Sequence, residues 1–153
     1  MTIIDVLKAR VTAFKEELEN GSLMEKLVKD NEAWICDMNT EDQLFERGVN
    51  RVGVSIMDYM PYRPKTIEIK EIKGQPTNRV TLRDEGDFHR SFKVDADNEK
   101  FRILSTDGKA EWLEKKYGRQ IFGLTDENAQ SLARDYILPE LRDIAKSQLT
   151  NLI

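Results

Sequence analysis

The stretch TLRDEGDFHRSF, Thr81 to Phe92, gathers Asp84, Glu85, Asp87 and the only histidine of the chain, His89, within twelve residues. Carboxylates and an imidazole at this spacing are the raw material of a divalent-metal site or an acid/base pair, and Ser91 adds a hydroxyl two residues beyond His89. On a strand, alternation would send Asp87 and His89 to one face and Phe88 to the other. A zinc centre needs three converging protein ligands, and a single histidine leaves this one short. A hydrolytic site is equally short of parts: no Gly-x-Ser-x-Gly elbow occurs, and Cys36 lies in the apolar run WICDM with no adjoining base to lower its pKa. A structural reading accounts for more of these residues. Gly86 supplies a turn with permissive backbone angles, Phe88 and Phe92 anchor a sheet on a helix, and the acids stay in water. The expectation is therefore no catalytic residue, no metal and no cofactor. DADNE at Asp95 opens like a calcium loop, but its sixth position is Lys100 and its twelfth Thr106, so it reads as a hairpin turn.

The elements that would position this stretch follow from periodicity. Ile4, Leu7, Val11, Phe14 and Leu18 repeat at three and four residues, with Thr2 as N-cap, Asp5 as its partner and Gly21 past the end. Ser22 and Glu25 form a capping-box pattern opening a second helix through Leu23, Leu27, Val28, Trp34 and Ile35, and Thr40 with Gln43 opens a third that ends near Gly48. VGVSIMDYMPYRPKT reads as an ordered loop, and TIEIKEIKG as a short helix. Val80 and Leu82 begin one strand, FHRSFKVDA is a second and KFRILST a third, which predicts a three-stranded antiparallel meander. KAEWLEKKYG is a helix closed by Gly118. Thr125 caps a long last helix that carries Ala129, Leu132, Tyr136, Leu141 and Ile144 on one face and is bent or split at Pro139. The fold class predicted is α+β, a small meander packed with N-terminal helices and a long C-terminal helix, as one domain over residues 1–153.

Composition bounds the function. The 153 residues suit a single core, and 39% hydrophobic and 34% charged residues with a net charge of −4 describe a solvated globular surface that disfavours a dedicated nucleic-acid binder. One cysteine excludes an internal disulfide and points to a reducing compartment. No run approaches the ~20 apolar residues of a membrane span, and the N-terminus lacks a signal-peptide pattern. The narrow seam Leu7, Val11, Phe14 suits one partner helix, in the same chain or another copy, and Tyr59, Met60 and Tyr62 concentrate aromatic and methionine side chains of the type found at interface centres.

The order of parts carries a further signal. Phe45 and Gly53, the YRPKT loop with Lys70, VTLRDEGDFHRSF, FRILSTDGKAEWLEKKYG and RQIFGLTDENAQSL follow one another over about residues 43 to 140. This succession resembles the phage virion-morphogenesis or tail-completion family, through Leu82, Asp84, Gly86, Phe88, Ser91, Tyr117, Gly118, Arg119, Phe122, Gly123, Leu124 and Glu127. Glu85 stands where that family usually has threonine, EWLEKKYG departs from its usual helix pattern, and residues 1–40 have no counterpart. The resemblance implies a non-enzymatic virion protein, assembled in the host cytoplasm. It would form a homo-oligomeric ring in the head-tail connector or complete the tail tube, bind portal-adaptor or tail proteins, and meet DNA only as passing cargo. Two alternatives stand beside it: a small enzyme or ligand-binding protein using Asp87, His89 and Ser91, and a cellular coiled-coil adaptor using the first helix.

Overall fold

The computed structural model describes residues 1–150. Helix α1 (Ile3–Glu19) begins with the expected capping box: the Thr2 hydroxyl accepts the Asp5 N–H at 3.1 Å and the Asp5 carboxylate accepts the Thr2 N–H at 2.8 Å. No residue of α1 is buried; it lies along the last helix, with Phe14 and Leu18 reaching the core.

Helices α2 (Ser22–Asp30) and α3 (Glu32–Asp37) and a π-helical stretch, Met38–Arg47, follow almost without interruption. The box expected at Ser22 and Glu25 does not form. Gly21, in the left-handed region at φ 78°, is the residue before the helix, and the Ser22 N–H goes to Asn20 Oδ1 at 2.9 Å. Nor does Gln43 pair with Thr40, whose hydroxyl turns back to the Cys36 carbonyl at 2.9 Å. Instead Leu27, Asn31, Ile35, Asn39 and Gln43 form one buried column at every fourth residue, three of the five being amides.

The loop after Gly48 contains a turn of helix, α4 (Ile56–Tyr59), and TIEIKEIKG falls in α5 (Pro64–Ile72), with Pro64 where a missing N–H costs nothing. The meander is reduced to one hairpin. Strands β1 (Phe92–Ala96) and β2 (Phe101–Ser105) pair antiparallel, with Phe92 opposite Ser105, and the Asp97 carboxylate accepts the Glu99 and Lys100 N–H groups in the turn, as DADNE suggested. The residues expected to lead the middle strand form a helical turn, α6 (Asp87–Arg90), after Gly86. The expected first strand is absent: the Thr81 N–H donates to the Tyr62 hydroxyl at 3.0 Å, its carbonyl meets His89 Nε2 at 2.9 Å, and Leu82 turns into the left-handed region at φ 52°. Two side chains take the backbone groups that a neighbouring strand would have used.

After α7 (Ala110–Tyr117), Gly118 and a 3₁₀ turn (Arg119–Ile121), Thr125 caps α8 (Asp126–Ser131) by accepting the Asn128 N–H at 3.2 Å. A second π-helical stretch, Leu132–Ile137, leads into α9 (Leu138–Thr150). Pro139 lacks a donor and crowds the preceding turn, and the helix accommodates it through this widened turn. The architecture is α+β, helices around a two-stranded antiparallel sheet, and the buried apolar side chains form one cluster. No helix among the described residues is long and apolar enough to cross a membrane.

Candidate functional site

The acidic stretch disperses rather than converges. Asp84 pairs with Lys73 Nζ at 2.7 Å and accepts from Gln75 at 3.1 Å, and these hydrogen bonds hold its carboxyl below the usual range. Asp87 pairs with Arg90 at the surface, while Glu85 is exposed, its carboxylate acting electrostatically on Lys73 and its carbonyl accepting from Arg90 at 3.2 Å. His89 is buried between the Phe88 and Phe92 rings and the Thr81 carbonyl. Burial depresses its pKa to about 4, so the ring is neutral, donates from Nε2 to Thr81, and leaves Nδ1 buried without a partner among the described residues. Ser91 Oγ lies 2.6 Å from the Phe88 carbonyl and 2.5 Å from Ser105 Oγ. Asp87, His89 and Ser91 thus each have a different partner. Among the described residues no three His, Cys, Asp or Glu side chains come together as metal ligands. Desolvation, with Glu32 and Asp37 nearby, pushes the Cys36 thiol up to about 11, far from a reactive thiolate.

A larger polar construction lies on the buried column. Asn39 Nδ2 donates to the Ile121 carbonyl at 3.0 Å and its Oδ1 accepts the Gly123 N–H at 2.8 Å; Gln43 Nε2 donates to the Gly123 carbonyl at 2.8 Å and its Oε1 accepts the Thr125 N–H at 2.8 Å. The wide turn of a π-helix sets residues four apart on one side, so the two amides grip alternate residues of the stretch IFGLT, which runs from the 3₁₀ turn ending at Ile121 to the cap at Thr125. Sequence reasoning missed this clip. The available signal was the period: Asn39 and Gln43 continue the apolar stripe of Leu27 and Ile35, where a buried amide must find partners.

The clipped stretch forms one wall of a groove of about 600 Å³, and β2 forms the other. The ladder shows which way β2 points. The Asp97–Lys100 and Ser91–Thr106 pairs are hydrogen-bonded at 2.9 and 3.1 Å, so alternation makes Lys93–Leu104 and Asp95–Arg102 the bonded pairs. The N–H and C=O groups of Val94 therefore point outward from β1, and those of Phe101, Ile103 and Ser105 outward from β2. On β1 that edge lies against α2 and α3, and the Val94 N–H is taken by Glu32 Oε2 at 2.9 Å. Arg51, Arg102, Arg119 and Glu114 ring the groove beside β2.

The candidate interface residues divide. Tyr62 receives the Thr81 N–H, Met60 and Tyr62 pack on the core, and Lys70 lies 5.1 Å over the Tyr62 ring, so both serve contacts within the chain. Tyr59 stays 40% exposed while its hydroxyl donates to the Tyr117 carbonyl at 2.9 Å. Phe14 touches the core, Leu7 is half-buried and Val11 is 51% exposed. The positions that carried the resemblance are mostly structural: Phe88 and Phe122 pack their rings at 6.0 Å, Gly86 and Gly118 adopt positive φ, Tyr117 is buried and Arg119 pairs with Glu114. Compared with known proteins, the chain matches no family model, no curated protein and no solved structure.

Proposed function

We propose that the chain is a structural assembly protein of a tailed phage virion, forming a homo-oligomeric ring in the head-tail connector or completing the tail tube. The observation that carries this reading is the apolar stripe left uncovered on α1. Ile4 and Val11 are 61% and 51% exposed on the same helix face as Leu7, and Leu149 of α9, beside the Gln148 carbonyl that Arg10 reaches, is 49% exposed. A row of large apolar side chains on a helix pair is a surface that association covers. In a ring each subunit holds two neighbours by a heterologous contact that closes, so the stripe would meet a different surface of the next copy. The order of motifs supports the virion setting, and a net charge of −4 suits a channel wall past which DNA slides without being held. Portal-adaptor or tail proteins are the further partners this reading implies.

Mass photometry and negative-stain imaging of the purified protein test it. Closed rings are expected for the native chain, and Ile4→Asp with Val11→Asp is expected to abolish them while leaving the thermal midpoint nearly unchanged. A chain that stays monomeric at high concentration, or rings that survive the double substitution, would overturn the reading.

A further inference from the structure

Both walls of the groove beside β2 are polypeptide edges, and neither is closed. The outward N–H and C=O groups of Phe101, Ile103 and Ser105 have no hydrogen-bond partner among the described residues. Opposite them, Asn39 and Gln43 engage Ile121, Gly123 and Thr125, while among the described residues the Leu124 N–H donates no bond and the Phe122 and Leu124 carbonyls accept none. An open edge of this kind is a template for another strand.

We propose that this groove binds an extended, acidic peptide segment of a different protein, which adds to β2 as a third strand. The occupant is extended because the groups on offer recur at every second residue of β2, about 7 Å apart, and only a strand presents its own groups at that repeat. Its acidity follows from the rim. Arg119 is paired with Glu114 at 2.9 Å and Arg102 with Asp95 at 2.8 Å, whereas Arg51 makes no ion pair among the described residues and lies against Gly123, where a Cβ would meet its side chain. Side chains between the acids would face Phe122 and Leu124, which line the groove. A second copy of this chain is a poor donor. Among the described residues, the one open edge it could offer is its own β2, which is itself a wall of the same groove, and its other stretches are engaged: β1 by β2, Thr81 by Tyr62 and His89, and residues 121–125 by the two amides.

The test selects short random peptides displayed on yeast against the full-length protein, then measures the synthetic winners by calorimetry and by amide hydrogen exchange. Winners are expected to alternate Asp or Glu with β-branched residues and to slow exchange at the Phe101, Ile103 and Ser105 amides. They should weaken about tenfold on Arg51→Glu, and by more than about tenfold when alternate peptide nitrogens are methylated. No selected binder, binders indifferent to backbone methylation, or binders that protect α1 instead would overturn the proposal. So would slow exchange of those three amides in the free protein, since the edge would then already be closed.

Discussion

Gln43 and Thr125, 82 residues apart, are joined by a 2.8 Å hydrogen bond from the Thr125 N–H to the Gln43 side-chain carbonyl. The same amide donates to Gly123, and Asn128 Nδ2 reaches its oxygen at 2.9 Å, so one buried side chain holds both the IFGLT wall of the groove and the first turn of α8.

Gln43→Met keeps the volume and removes the partners. The Gly123 carbonyl and the buried Thr125 N–H are then left unpaired, and at about 1–3 kcal/mol for each such group the variant should lose about 2 to 6 kcal/mol in urea unfolding. A loss under about 1 kcal/mol would mean that IFGLT finds other partners and the clip is not what holds it.

His89 should make the fold sensitive to mild acid. Its folded pKa of about 4 lies below the ordinary 6.5, because burial and the neighbouring Arg83 disfavour the charged ring. As pH falls, the unfolded chain therefore takes the proton first. The folded state should lose about 3 kcal/mol between pH 6.5 and 4, with no further loss from this group below that window. Chemical denaturation across that range, compared with His89→Gln, isolates the effect; parallel curves for the two proteins would exclude it.

Phe88 and Phe92 are each 4% exposed, with ring centroids 5.0 Å apart in an edge-to-face arrangement. Truncating either to alanine should cost about 3 to 5 kcal/mol. Because the rings touch, the double variant should fall short of the sum by about 0.5 to 1.5 kcal/mol. Strict additivity in a double-mutant cycle would show that the pair does not interact.

Gly21 joins α1 to α2 at φ 78°, and a methyl group there would overlap the backbone carbonyl of Asn98 in the hairpin turn. Gly21→Ala should cost more than the ~1–2 kcal/mol of a left-handed non-glycine residue, because the turn must also retreat. Amide shifts at Asn98 and Glu99 should accompany the lowered midpoint; a fold that tolerates alanine with those shifts unmoved would place the turn away from the helix junction.

Much of the frame was legible in the chain. The Thr2 capping box, the stripe of α1, the hairpin turn at Asp97, the cap at Thr125 and the burial of Phe88 and Phe92 all rest on patterns spanning a few residues, which is the range over which helix and strand periods operate. The third strand was the main failure. VTL has the alternation of a strand, but strand formation depends on where its backbone groups find partners, and Tyr62 and His89 supply them from 19 and 8 residues away. The groove was hidden for the same reason. Period four continues the stripe of Leu27 and Ile35 to Asn39 and Gln43, a signal obscured by the cap expected at Thr40, and only the tertiary structure decided that they would grip Ile121, Gly123 and Thr125 and leave β2 open. A side chain that replaces a strand satisfies the same donors and acceptors without imposing any repeat on the sequence that it binds.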